Sequence, residues 1–126
     1  MTEKSYYAKI TKYYNAIADC SMAVELKITK GNTLSFKCLP PHQEEFLVQS
    51  GRTLGYKIDD TGRRKKPFDI FVLYHAFAVI VAIFYRPRDT EIYEIGIKDF
   101  LNEKYNSGKK SLTLERARQI GSRLPI

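Results

Sequence analysis

Residues Met22-Ala-Val-Glu-Leu-Lys-Ile-Thr29 decide how the chain is read. Val24, Leu26 and Ile28 alternate with Ala23, Glu25, Lys27 and Thr29. Side chains along a strand point to opposite faces with a period of two, so the apolar trio takes one face and Glu25 and Lys27 share the other. A carboxylate and an ammonium at that spacing lie within several ångströms of each other. The carboxylate is a hard oxygen ligand suited to Mg²⁺. The ammonium can orient water or stabilise charge on a phosphate. A salt bridge on a solvent-facing strand would give the same spacing without any chemistry, so the surroundings must discriminate.

Working outward, Tyr6, Tyr7, Ile10, Tyr13, Tyr14 and Ile17 recur at spacings of three and four and predict a helix over about residues 3–17. Gly31-Asn32 predicts a turn, and residues 34–38 a short edge strand. Pro40-Pro41 opens a helix that runs to about Ser50, with Gly51 as its stop. Residues 54–58 read as a strand and residues 59–66 as a polar, basic loop. The runs 68–74 and 77–85 are almost continuously apolar, as in strands buried on both faces of a covered sheet. The short His75-Ala76 link predicts that the two form a hairpin. A turn over 86–90, a strand over 92–95 and helices over 97–105 and 113–120 complete the chain. Thr113 is the expected N-cap of the last helix and Gly121 its stop. The expected fold is α/β: a mixed central β-sheet flanked by helices, in one domain spanning residues 1–126.

Composition narrows the function. Hydrophobic residues at 44% and charged residues at 28% exclude a disordered chain, a collagen-like repeat and a disulfide scaffold. Cys20 and Cys38 form no CxxC and His42 and His75 are the sole histidines, so a structural zinc site is not expected. Two free thiols in a reducing cytosol are expected rather than a disulfide. The N-terminus lacks the apolar core of a signal peptide, and the longest apolar run, 76–85, is too short to span a bilayer. The expectation is a cytoplasmic protein without membrane contact.

The net charge of +7 points to a polyanionic partner, nucleic acid before anionic membrane. The charge is uneven. Residues 57–66 carry +3 and residues 104–126 carry +5, beside a middle segment, 67–103, of −3. Arg63, Arg64, Lys65 and Lys66 form the first phosphate-contacting candidate, and Lys109 and Lys110, with Arg116, Arg118 and Arg123, the second. An ordinary solvated surface would also account for each run, and for the second more readily than for the first. The N-terminal tyrosines fit a core or dimer face better than a base-stacking platform. Nothing predicts reading of base edges, so recognition of shape and backbone is expected.

Two further positions bear on the Glu25–Lys27 pair. His42-Gln43 opens the helix that follows the strand. Asp69 interrupts an apolar run, and a buried carboxylate requires a cation, a hydrogen-bond donor or a metal. Capping of the strand at an exposed end would also account for it.

The ordered set Ala23-Val24-Glu25-Leu26-Lys27-Ile28-Thr29, Leu34-Ser35-Phe36 and His42-Gln43 resembles the core of PD-(D/E)xK nucleases. The nearest subgroup is that of RecU-type Holliday junction resolvases and their phage relatives. Ile92-Tyr93-Glu94-Ile95, Phe100-Leu101 and Lys109-Lys110-Ser111-Leu112 are similar to the end of such domains, so the resemblance spans roughly residues 20–121 with gaps. It implies a restriction-endonuclease-like fold, Mg²⁺ or Mn²⁺ as cofactor, Glu25 as metal ligand, Lys27 assisting attack of water on the phosphodiester, and Gln43 as a supporting polar residue. One departure is plain. The family's first Asp lies on a hairpin before the ExK strand, whereas here Asp19 stands only six positions before Glu25. Either Asp19 reaches the metal from a loop or Asp69 supplies the second carboxylate from a neighbouring strand, the latter being preferred; an inactive, degenerate site is the third possibility.

The function expected on this basis is metal-dependent hydrolysis of branched DNA by a homodimer, since two symmetric cuts call for two-fold symmetry. The competing readings are a non-catalytic nucleic-acid-binding module on the same sheet, and an interaction protein using its tyrosine-rich first helix.

Overall fold

The computed structural model describes residues 2–17, 21–50, 54–57, 70–73 and 77–126, with side chains described for all of these except 54–57 and 70–73. Helix α1 (Lys4–Ile17) buries Tyr6, Ile10 and Tyr14, one face of the predicted spacing. Strand β1 (Met22–Lys30) follows. Gly31 then turns the chain at φ 109°, where a side chain would be strained, into β2 (Thr33–Ser35). The strand expected over 34–38 is cut short. Residues Phe36–Cys38 form a 3-10 turn, because the Ser35 hydroxyl accepts the Lys37 N–H and offers the backbone a local partner in place of a ladder. Helix α2 (Pro41–Ser50) begins on a proline, whose missing N–H has no intrahelical role in the first turn.

Strands β3 (Leu54–Lys57) and β4 (Ile70–Leu73) pair antiparallel in a two-stranded sheet of their own. Next come β5 (Phe77–Tyr85), β6 (Glu91–Gly96), helix α3 (Ile97–Asn106), β7 (Ser111–Thr113), helix α4 (Leu114–Ile120) and β8 (Ser122–Arg123). The expected hairpin between the two apolar runs is not what the described strands form. Strand β5 has β1 on one side and β6 on the other, so both its hydrogen-bonding edges are taken, and β4 pairs with β3.

The main sheet has the order β1-β5-β6-β8. Strands β1 and β5 run parallel, while β5–β6 and β6–β8 are antiparallel, so the sheet is mixed. One face packs Val79, Val81, Ile83 and Ile92 against Tyr6, Ile10 and Tyr14 of α1. The other packs Ile80, Ala82, Phe84, Tyr93 and Ile95 against Leu47, Phe100, Leu114 and Ala117 of the remaining helices. Helices therefore cover both faces, and residues 80–84 of β5 are completely buried, which is why that run shows no polar alternation. Each such large apolar side chain contributes about 1.5–3 kcal/mol on burial.

Along β1 the predicted alternation holds. Val24, Leu26 and Ile28 join the α1 face. Glu25 and Lys27 stand in register with Ile80 and Ala82, on the face that carries α2, α3 and α4. Thr113 caps α4 as expected, its hydroxyl accepting the Arg116 N–H at 3.1 Å. Among the described residues no helix is long and apolar enough to cross a membrane.

Candidate active site

Lys27 Nζ lies 3.3 Å from Glu25 Oε1. The lysine is buried, at 8% exposure for the whole residue, whereas Glu25 is partly open to solvent. A buried ammonium is costly without a counter-charge, and Glu25 supplies it. The pair thus combines a sheltered cation with a carboxylate that solvent can reach.

The turn before α2 lies close to Lys27. Cys38 there carries a free, half-buried thiol. Burial pushes its pKa up, while the ammonium groups of Lys27 and Lys104 act in the opposite direction. Lys104 on α3 donates to the Leu39 carbonyl at 3.1 Å and pairs with Glu44, and the Tyr105 hydroxyl donates to Glu44 Oε2 at 2.7 Å. These contacts fasten α3 to the first turn of α2, where Gln43 sits. The Gln43 side-chain oxygen is buried and accepts no hydrogen bond among the described residues. An unpaired buried acceptor costs about 1–3 kcal/mol, and a cation or a donor would relieve it.

The residues predicted from sequence are only partly placed. Asp69, Asp19 and the run Arg63, Arg64, Lys65 and Lys66 lie outside the described residues. No strand precedes β1 among the described residues, so an acid-bearing hairpin ahead of Glu25 has no counterpart there. Lys109 and Lys110 are exposed on the link between α3 and β7, and the Lys110 carbonyl accepts the Phe36 N–H at the start of the 3-10 turn. Among the described residues no three Asp, Glu, His or Cys side chains gather as a metal cage. Glu25 and the unpaired Gln43 oxygen are hard oxygen donors of the kind a divalent ion such as Mg²⁺ takes.

A second charged cluster gathers around Glu91, an acid that the sequence did not single out. Glu91, only 4% exposed, receives Arg118 Nε at 3.0 Å and Nη2 at 2.6 Å, Arg86 Nη2 at 2.5 Å and the Tyr93 hydroxyl at 2.7 Å. Arg123 Nη1 stands 3.8 Å away. The Arg118 and Tyr93 hydrogen bonds outweigh burial and hold the Glu91 carboxyl down at about 2. Arg116, a candidate phosphate contact, is bound to Glu103 and Gln119.

Compared with known proteins, the chain matches no family model, no curated protein and no solved structure at a significant level.

Proposed function

We propose that the chain is a metal-dependent endodeoxyribonuclease with a restriction-endonuclease-like fold, acting as a homodimer on branched DNA in the manner of Holliday junction resolvases. The observation that carries this reading is the Glu25–Lys27 pair: a solvent-reachable carboxylate 3.3 Å from a buried ammonium, side by side on one strand of a mixed sheet. A divalent ion, when bound, supplies Lewis-acid polarisation of the phosphodiester and acidifies water. Glu25 provides an oxygen ligand for it, and Asp69 is the proposed second carboxylate, with Asp19 as the alternative. Lys27 stabilises charge on the phosphate or positions the attacking water. Gln43 adds an acceptor without a donor. Arg63, Arg64, Lys65, Lys66, Lys109 and Lys110 are the proposed backbone contacts.

The test compares a four-way junction with a linear duplex of the same sequence in Mg²⁺ and in Mn²⁺. Cleavage of the junction is expected, with Glu25→Gln and Lys27→Ala each abolishing cutting and preserving binding. Cutting that survives in both variants overturns the assignment.

A second reading is a nucleic-acid-binding module without catalysis: among the described residues Glu25 belongs to no group of three or more Asp, Glu, His or Cys side chains. Binding without cleavage across several divalent metals would establish it.

A further inference from the structure

Among the described residues β1 is an edge strand of the main sheet, in register with β5 from Met22 to Lys30. In an extended chain the N–H and C=O of one residue point to one side and those of the next to the other. At the two ends of β1 the Ser21 carbonyl accepts the Phe77 N–H at 3.0 Å, and the Gly31 N–H donates to the Tyr85 carbonyl at 3.3 Å. Odd-numbered residues therefore turn their backbone to β5. Met22, Val24, Leu26, Ile28 and Lys30 turn theirs outward, where no strand pairs with them among the described residues.

The side chains record the same gap. Val24, Leu26 and Ile28 are only half-buried, whereas their register partners Val79, Val81 and Ile83 are buried. Proteins ordinarily blunt such an edge with a proline, a bulge, a short strand or a lysine. Strand β1 holds no proline and runs nine residues in unbroken register. It does hold Lys27, but with Glu25 two positions away.

That spacing makes the edge complementary to itself. Two copies of β1 meeting antiparallel about a two-fold axis at Leu26 set Leu26 opposite Leu26, Val24 opposite Ile28 and Met22 opposite Lys30. All of these face outward, so each row can exchange backbone hydrogen bonds. In the rows between, Glu25 stands opposite Lys27 of the second copy. Opposite charges in directly facing positions stabilise a strand pair, and like charges destabilise it. Moving the axis by one residue sets Glu25 against Glu25 or Lys27 against Lys27, so charge selects the register.

We propose that the β1 edge is the interface of a two-fold dimer, its occupant being β1 of a second copy, paired antiparallel about Leu26. The sheets of the two copies join into one, and Lys27 of each copy joins Glu25 of the other. The interface stands on the strand edge, and only its use in cutting DNA rests on the nuclease reading.

The test is sedimentation equilibrium of the full chain without DNA or divalent metal. A dimer is expected, and a monomer throughout the micromolar range overturns the interface. Lys27→Glu and Glu25→Lys each set like charges across the seam, and each should weaken dimerisation at least about tenfold. Mixed in equal amounts, the two variants regain opposite charges in both charged rows and should dimerise as the parent does. Unchanged dimerisation in either variant, or no recovery in the mixture, overturns the register. Because Lys27 is buried, a second measurement leaves the pair intact. Nitroxide labels are placed at exposed Lys30 by Lys30→Cys, with Cys20→Ser and Cys38→Ser. The two labelled positions stand eight residues apart along the seam, or roughly 27 Å. Electron–electron double resonance should give a distance within the labels' reach of that value, and a dimer without it overturns the register. A monomer that cuts the junction overturns this interface and leaves the nuclease reading standing; a dimer that cuts nothing does the reverse.

Discussion

Lys27 is the more deeply buried partner of Glu25: its side chain is 11% exposed against 29%, with 3.3 Å between Nζ and Oε1. An exposed pair of this kind contributes about 0–1 kcal/mol, and a buried one often destabilises relative to apolar residues of similar volume. Lys27→Met keeps most of the stem and removes the charge, and Glu25 retains contact with water. Stability in urea should therefore stay within about 1 kcal/mol of the parent or rise. On the proposed nuclease function, metal-dependent cleavage should fall by roughly two orders of magnitude or more. A loss of several kcal/mol in folding would instead identify the pair as structural.

The Glu91 cluster makes the fold acid-sensitive. The carboxyl is held at about 2, below its ordinary 4.5, chiefly by hydrogen bonds from Arg118 and Tyr93. A carboxylate depressed on folding stabilises the native state fully above its unfolded value, and that contribution disappears as pH falls from about 4.5 towards 2. Urea midpoints should decline through this window. In Glu91→Gln the decline should be shallower by about one proton, and stability at pH 7 lower by roughly 2–3 kcal/mol. Identical acid profiles for the two proteins would refute the role given to Glu91.

Period-two alternation is a property of the extended backbone, so residues 22–29 revealed in isolation that Glu25 and Lys27 share a face. The surroundings of that face were not legible. An apolar run such as 77–85 reports burial without naming its neighbours, and so the pairing of β5 with β1 rather than β4 was missed. Strand β7 is three residues long and pairs Thr113 with Thr33, eighty positions away, leaving no local pattern to read. Glu91 carried no signal in the sequence because Arg118 and Arg123 reach it only through the fold. The Glu25–Lys27 half of the candidate site could be found from sequence, and Arg118 and Arg123 stood out as basic residues, while their common partner Glu91 could not be found.

Tyr14 joins α1 to the sheet. Its hydroxyl donates to Glu94 Oε1 at 2.6 Å, from a ring that is otherwise buried. Burial first, and then this hydrogen bond, pushes the phenol pKa well above its ordinary 10. Tyr14→Phe should cost about 1 kcal/mol at neutral pH. A phenol raised on folding contributes fully below its unfolded value and loses that contribution progressively above it, so the gap between Tyr14→Phe and the parent should narrow as pH climbs past 10. Denaturant titrations at pH 7 and above 10 measure both effects, and a gap that widens in alkali would contradict them.

Gly121 ends α4 at φ −109°, a backbone that any residue adopts, so its requirement is for space. A Cβ there would lie 2.9 Å from the Glu94 carbonyl oxygen, 2.9 Å from Ile95 Cγ1 and 3.0 Å from the Ala117 carbonyl oxygen. Two of those atoms are backbone and cannot rotate away. Relief would have to separate α4 from β6, and Glu94 pairs with Ser122 in the β6–β8 ladder that precedes Arg123. Gly→Ala at an unstrained, open position stabilises by about 0.4–1 kcal/mol through the unfolded chain. Here overpacking should dominate, and Gly121→Ala is expected to lose about 1–3 kcal/mol, read as a fall in thermal midpoint of several degrees. The damage should extend to the arginine cluster, because Arg118 lies on α4 and Arg123 on β8. An alanine variant as stable as the parent would show that α4 is not pressed against β6 at Gly121.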